Sequence, residues 1–167
     1  DIEEVHTIVK GALDRARQKN LAHPVTNLPT AELINEQYRQ LVASASGWAL
    51  AQAHINGFET FTQAYGAVVG EDVLKFTALM LNEVINELGG PNDFIGQMVV
   101  GPDFVITSSP EHLKAISTRM CERFDAEIGL QYNYKDRRNG FIVVNDDQGT
   151  PRQVPLMSLA RQQGSFE

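Results

Sequence analysis

A long amphipathic helix that stops at a sharp break constrains the fold of this chain more than any other feature. Residues 71–88 carry apolar side chains at helical spacing, and Gly89-Gly90-Pro91-Asn92 ends the helix. Residues 94–100 and 104–107 then have the pattern of two strands. Gly101-Pro102-Asp103 lies between them, which predicts a tight hairpin with proline at the second turn position. A helix beside a hairpin indicates layers of helix on sheet.

Shorter stretches on both sides continue this alternation. Thr30 is predicted to cap a helix that ends before Gly47, and residues 48–55 form an apolar run that is typical of a strand buried on both faces. Ser109-Pro110-Glu111 is a strong helix start. The other predicted elements are a short helix or turn over 58–65, strands over 130–134, 141–145 and 153–159, and hairpin loops over 136–140 and 146–149. Together they predict an α/β layer fold with a mixed sheet.

The first residues carry a short heptad pattern. Its apolar members alternate at steps of three and four: Ile2, Val5, Val9, Ala12 and Ala16. Such a stripe fits a helix packed on its own domain, and it also fits the end of a dimeric stalk. We predict an N-terminal helix over residues 1–22 and a domain over 23–167. Because residue 1 is not methionine, we expect a piece of a longer polypeptide.

Composition excludes several classes of function. The 167 residues have a formal net charge of −7, which argues against binding to the phosphate backbone of nucleic acid. No apolar stretch reaches the length that crosses a bilayer, and the first residues do not resemble a signal peptide. Cys121 lacks spaced His or Cys partners for zinc and fits a small core residue better than a reactive thiol. We expect a cytoplasmic protein.

Three motifs follow one another along the chain. The first is His23-Pro24-Val25-Thr26-Asn27-Leu28-Pro29. The second joins Phe58-Glu59-Thr60-Phe61-Thr62-Gln63-Ala64-Tyr65-Gly66 to Gly70-Glu71-Asp72-Val73-Leu74, and the third joins Asp93-Phe94-Ile95-Gly96 to Val100-Gly101-Pro102-Asp103-Phe104. In order and spacing they resemble the D-x-L-T-G-L-P segment, the F-K-x-x-N-D-x-x-G-H-x-x-G-D-x-x-L segment and the signature hairpin of the GGDEF domain. That family comprises bacterial diguanylate cyclases, which condense two GTP molecules into cyclic di-GMP.

The resemblance implies a nucleotidyl-cyclase-like domain with a central mixed, mainly antiparallel sheet flanked by helices and the nucleotide over the hairpin. In the family, carboxylates hold Mg²⁺ ions against the phosphates. Alignment puts His54 at one metal carboxylate, Asn56 at the second acid of that segment and Pro102 at the other metal carboxylate. A slip of one residue would put Gly101 there instead. Imidazole favours borderline metals over Mg²⁺, and proline offers no carboxylate.

The other aligned pocket positions also differ from the family. The residues that read guanine, an Asn and an Asp, align with Thr62 and Glu71, and the basic residue of the second motif aligns with Glu59. Val100 stands at the first signature glycine and resists the positive φ that glycine permits. The product-inhibition motif R-x-x-D appears as Gly90-Pro91-Asn92-Asp93, without the arginine that would pair with phosphate.

Several of these residues also have an ordinary structural interpretation. A lone His54 at a strand end is more typical of a hydrogen-bonded residue than of a zinc or manganese ligand. Asp103 keeps an acid at the fourth letter of the signature, yet Asp beside proline suits any turn. The cluster Asp136-Arg137-Arg138 fits a solvated hairpin loop better than a site for a partner or a phosphate.

The sequence therefore predicts a degenerate, non-catalytic GGDEF-like signalling module of a bacterial protein, with no cofactor and no bound metal. It would act as a homodimer or through contact with other domains. The alternative is a regulatory domain that binds GTP or cyclic di-GMP without turnover, and an active diguanylate cyclase is less favoured. Residues between Leu130 and Pro155 would form an added ribbon. Because the family continues with a further helix and strand, we expect a C-terminal truncation.

Overall fold

The structure is a computed structural model that describes residues 4, 5, 7, 22–44 and 47–166, with only the backbone of 163–166. Residues 4, 5 and 7 are helical, and the rest of the predicted heptad segment lies outside the described residues. The helices are α1 Glu32–Ala43, α2 Phe58–Tyr65, α3 Ala67–Leu88, α4 Pro110–Glu127 and α5 Tyr134–Asn139, with a 3-10 turn at Ile128–Gln131. The strands are β1 Trp48–Asn56, β2 Phe94–Gln97, β3 Asp103–Ser108, β4 Phe141–Asn145, β5 Pro151–Pro155 and β6 Ser158–Phe166. No described helix is long and apolar enough to cross a bilayer.

A four-stranded sheet forms the centre of the fold, in the order β2-β3-β1-β6. Each neighbouring pair in it is antiparallel. Helix α4 contacts β1, β3, β6 and α3, so the helical layer and the sheet share one core. The predicted α/β fold with a mainly antiparallel sheet flanked by helices is confirmed. The predicted ribbon is also present, as a separate two-stranded sheet of β4 and β5.

Strand β1 gives the sheet two different faces. Ala51, Ala53 and Ile55 are buried on the face towards α4, which we call the covered face. Gln52, His54 and Asn56 point to the opposite side, the open face, and all three are exposed. The prediction of a strand buried on both faces is therefore wrong, because Ala and Ile occupy alternate positions with polar residues between them.

The first residue of helix α4 agrees with its prediction, and the first residue of helix α3 does not. Helix α4 begins as predicted, because the Ser109 side chain accepts a hydrogen bond from the His112 N–H at 3.3 Å. Helix α3 begins at Ala67, earlier than the predicted residue 71, and Gly70 lies inside it. A Cβ at Gly70 would lie 2.9 Å from the Thr62 hydroxyl oxygen, so glycine here permits the close approach of α2 and α3.

Helix α1 starts without the predicted cap. Its N-cap residue is Ala31, at φ 43° and ψ −106°, and no side chain caps the helix. The prediction that Thr30 caps it is wrong, because the Thr30 hydroxyl is buried and lacks a hydrogen-bond partner within the described residues. The Thr30 carbonyl instead accepts the Leu33 N–H at 3.0 Å. No residue of α1 is buried, so this helix lies loosely on the fold.

The segment after α4 differs most from its prediction. The strand expected over residues 130–134 and the hairpin loop over 136–140 are wrong, since a 3-10 turn and helix α5 occupy these positions. The Asn133 side chain caps α5 by accepting the Asp136 N–H at 2.8 Å. The strand expected over 153–159 is divided between β5 and β6, because the Met157 N–H donates to the Tyr132 hydroxyl at 2.8 Å instead of to a neighbouring strand.

Candidate functional site

The pairing of β1 with β3 sets His54 directly opposite Asp103 on the open face. The His54 Nδ1 and Asp103 Oδ1 atoms are 2.8 Å apart, which is a hydrogen bond in which Nδ1–H donates to the carboxylate. The exposed fraction of the side chain is 48% for His54 and 21% for Asp103. This pair is therefore accessible from solvent and already internally satisfied.

A cavity of about 280 Å³ opens beside this pair. Strand β6 supplies its other wall, because the register sets Ala160 opposite His54 and Gln162 opposite Gln52. The lining residues are Gln52, His54, Asp103, Ala160, Arg161 and Gln162. The cavity thus combines one carboxylate, one imidazole, one guanidinium and two amides, a set that suits hydrogen bonding to an anionic or polar molecule.

The loop between β2 and β3 is wider than a tight hairpin. Its residues 98–102 separate strands that end at Gln97 and begin at Asp103, so the tight hairpin predicted at Gly101-Pro102-Asp103 is wrong. The Met98 N–H donates to the Asp103 carbonyl at 2.9 Å and closes the loop. The Pro102 carbonyl accepts the Ile55 N–H at 3.1 Å, which extends the ladder and draws Asp103 into the strand.

Glycine is required at one position of this loop. Gly101 has φ +82°, in the left-handed region that side chains disfavour. Val100, at the aligned first glycine of the signature, has negative φ and is 83% exposed. The loop therefore has one left-handed residue, Gly101, and presents the apolar side chain of Val100 to solvent.

The remaining predicted positions lie at two other places. The Asn56 amide, at the end of β1, donates to the Ser158 hydroxyl at 3.2 Å across the sheet. The Thr62 hydroxyl donates to the Phe58 carbonyl at 2.8 Å within α2, and its side chain contacts Gly70, the residue before Glu71. The structure thus brings His54, Asp103 and the loop together, and sets Thr62 at the junction of α2 and α3. Glu59 and Glu71 are both exposed.

The residues present do not fit Mg²⁺. This ion takes oxygen ligands, chiefly carboxylates and water, in a near-octahedral arrangement. The aligned positions supply the imidazole of His54 and the carboxylate of Asp103, and these two groups are hydrogen-bonded to each other. Within the described ranges there is no group of three or more His, Cys, Asp or Glu residues that could hold a metal ion.

Three polar lining residues were not predicted from the sequence as site residues: Gln52, Arg161 and Gln162. Gln52 could have been found, since it precedes His54 by one strand period and shares its face. Arg161 and Gln162 lie far along the chain, and only the pairing of β6 with β1 brings them to the cavity.

Several residues outside this cavity have a shifted pKa, among them Tyr65 and Cys121. Burial, followed by the hydrogen bond to Asp136, raises the pKa of Tyr65 to about 12. Burial also raises the pKa of the Cys121 thiol, which disfavours the reactive thiolate. Cys121 is half-buried, and its thiol lies 3.6 Å from the Leu159 carbonyl oxygen.

The arrangement of the sheet and helices defines a nucleotidyl-cyclase-like α/β fold, and solved structures assign it more closely to the fold of GGDEF domains. The coiled coil and GGDEF domain of DgcB from Caulobacter crescentus, solved in complex with c-di-GMP, superposes with a TM-score of 0.66 at 14% identity, over 99% of this chain and 79% of that one. The FimX GGDEF domain from Pseudomonas aeruginosa has a TM-score of 0.59 at 17% identity, over 88% and 80%.

Diguanylate cyclase SiaD from Pseudomonas aeruginosa, solved with its activator SiaC, has a TM-score of 0.62 at 13% identity. This match covers 99% of the present chain and 58% of SiaD. No family model matches the sequence, and no curated protein matches it either. The resemblance to GGDEF domains is therefore confirmed at the level of the fold.

Proposed function

We propose that this chain is a degenerate, non-catalytic GGDEF-like signalling module that acts through dimerisation or contact with other domains. The observation that supports this function is the His54–Asp103 hydrogen bond of 2.8 Å. It stands at the end of β1, where the family resemblance implies a metal-binding carboxylate. The His54 imidazole offers nitrogen, and it is hydrogen-bonded to the nearby Asp103 carboxylate. Together they do not supply the set of oxygen ligands that Mg²⁺ prefers.

The size of the effect supports an inactive site. Phosphoryl transfer depends on metal ions that neutralise the phosphates, and each such contact contributes several kcal/mol to the transition state. Since about 1.4 kcal/mol corresponds to tenfold in rate, the loss of two metal carboxylates lowers turnover by many orders of magnitude. The positions His54 and Pro102 carry this proposal.

A double substitution tests it. His54→Asp with Pro102→Asp restores both implied carboxylates, and we expect Mg²⁺-dependent GTP binding to appear in calorimetry with the full chain. Gln148→Asp with Gln153→Asp adds the same charge on the β4–β5 ribbon and is the matched control. Cyclic di-GMP formed from GTP by the unmodified chain, detected by chromatography, would refute the proposal directly.

The alternative function is a regulatory domain that binds GTP or cyclic di-GMP without turnover. It is supported by Arg161, whose guanidinium can pair with phosphate, in the cavity beside His54. DgcB provides an analogy, because its GGDEF domain was solved with c-di-GMP. Titration with each nucleotide, with and without Mg²⁺, discriminates between the two: absence of heat at millimolar nucleotide eliminates the alternative.

The dimeric part of the proposal concerns residues 1–22, which we propose as a signalling helix. Residues 4, 5 and 7 are helical, and the DgcB structure that spans 99% of this chain includes a coiled coil. Val5→Asp with Val9→Asp charges the predicted seam, and we expect it to turn a dimer into a monomer in sedimentation equilibrium. Lys10→Asp, off the seam, is the control. A strictly monomeric unmodified chain would contradict dimerisation.

A further inference from the structure

A second cavity, of about 200 Å³, lies on the open face between α1 and the sheet. Six of its ten lining residues are apolar or aromatic: Ile34, Tyr38, Leu50, Phe94, Met98 and Val105. The other four are polar: Asn35, Gln37, Gln52 and Thr107. An apolar cavity of roughly 150 Å³ suffices to hold benzene. This cavity therefore has room for one aromatic ring with a substituent.

One polar side chain in its wall is unsatisfied. Thr107 lines the cavity and is only 3% exposed, and its hydroxyl has no hydrogen-bond partner among the described residues. Buried hydroxyls almost always have such a partner. One step of the χ1 angle exchanges the hydroxyl and methyl groups of a threonine, so this hydroxyl can turn to meet a polar atom at the cavity wall.

Helix α1 is the element whose movement would open the cavity to a small molecule. This helix forms one side of the cavity, and none of its residues is buried. A helix without buried residues shifts at a smaller cost in free energy than a core helix such as α4. A molecule that fills the space would add contacts between α1 and the sheet, and it would hold the helix more firmly in place.

We propose that this cavity binds a single-ring aromatic molecule that carries one hydrogen-bonding group. The ring packs between Ile34 of α1 and Leu50 and Val105 of the sheet, and the polar group pairs with the Thr107 hydroxyl. The inference is independent of the proposed function, since it involves neither a nucleotide nor the His54–Asp103 pair.

Phenol and toluene, titrated separately into the full chain, test the proposal by amide NMR. Both have one ring of similar size, and only phenol carries a hydroxyl. We expect saturable binding of phenol at millimolar concentration, with shifts centred on Leu50, Val105 and Thr107. Thr107→Val keeps the shape of the side chain and removes the hydroxyl. It should weaken phenol binding by about tenfold and leave the affinity for toluene within about twofold.

Two further variants sharpen the test. Val105→Phe fills the cavity and should abolish binding of both molecules, whereas Gln162→Leu, in the cavity beside His54, should preserve both affinities. Circular dichroism checks that each variant folds, and if Val105→Phe does not, the Thr107→Val comparison decides. The proposal is overturned by an absence of saturable phenol binding, by equal losses of phenol and toluene in Thr107→Val, or by shifts confined to the exposed loop at Val99 and Val100.

Discussion

The covered and open faces of the sheet are made from the same strands, yet they are built in opposite ways. On the covered face, Ala51, Ala53 and Ile106 are at most 1% exposed and belong to one core with α3 and α4. On the open face, Gln52 and His54 are exposed, and Val105 and Thr107 are buried close to α1. Among the described helices, α1 lies against this face, and it has no buried residue. Both cavities described above lie on the open face.

The difference between the faces indicates that the covered face stabilises the fold and that the open face provides the space for binding. Burial of apolar side chains supplies most of the stabilisation of a fold, and here it is concentrated on the covered face. The open face contributes less to stability, so it can carry polar side chains and unfilled space at small cost. The following substitutions test this division, and they are ordered from the largest expected effect to the smallest.

Phe124→Ala should cause the greatest loss. Phe124 is fully buried in α4 and packs against Phe76 with ring centroids 5.9 Å apart. Truncation leaves a cavity and should lower the free energy of unfolding by about 3–5 kcal/mol in urea titration. The matched change on the open side, Val42→Ala in α1, should alter it by less than about 0.5 kcal/mol. Similar losses from both variants would show that α1 is as tightly integrated as α4.

Ala31→Gly should stabilise the protein. Ala31 adopts φ 43° and ψ −106°, a conformation that a Cβ disfavours and that glycine adopts readily. We expect the free energy of unfolding to rise by about 1 kcal/mol. Ala43→Gly, at the other end of α1, should lower it slightly because glycine weakens a helix. If Ala31→Gly instead lowers the free energy of unfolding, backbone strain at Ala31 does not reduce the stability of the protein.

Tyr65→Phe should change the response to alkaline pH. The folded state raises the pKa of Tyr65 to about 12, so it keeps the phenol proton where the unfolded chain, near pH 10, releases it. The stabilisation is complete below about pH 10 and is lost as pH rises towards 12. Urea titrations over this range should show a steeper decline for the unmodified chain than for Tyr65→Phe, with exposed Tyr134→Phe as the control. Equal slopes would contradict a role for the Tyr65–Asp136 hydrogen bond.

His54→Gln should have the smallest effect on stability. The side chain is 48% exposed, and ion pairs at exposed positions contribute little. We expect the free energy of unfolding to change by less than about 1 kcal/mol, measured in the same titrations. A decrease in the free energy of unfolding as large as that of Phe124→Ala would contradict the conclusion that stability is concentrated on the covered face.

Much of the fold could be predicted from local signals. Ser109 as a cap, the apolar stripe of α4 and the turn at 146–149 depend on neighbours within a few residues, and the structure bears them out. The largest failure, after α4, involves residues whose partners are distant. Residues 130–134 have strand-like composition, but the Tyr65 hydroxyl accepts the Asn133 N–H at 3.2 Å and helps to fix a turn there.

The candidate site was predicted only in part. His54 and Asp103 were both singled out by the resemblance, but neither their hydrogen bond nor the wall of β6 could be inferred from it. The loop between β2 and β3 was predicted too short because the prediction used only the turn preferences of Gly101 and Pro102, without the pairing of β3 with β1. The pairing of Asp103 with His54 extends β3 backwards and moves the turn to residues 98–102.

The amino-acid sequence by itself determined most of the order of helices and strands, the long core helix and the unusual residues at the aligned metal positions, because these depend on side-chain type and short-range spacing. Only the tertiary structure decided that His54 meets Asp103, that β6 brings Arg161 to the same cavity and that α1 leaves a space above Thr107. Such contacts join residues dozens of positions apart. They form when strands pair and helices pack, and no local pattern records them.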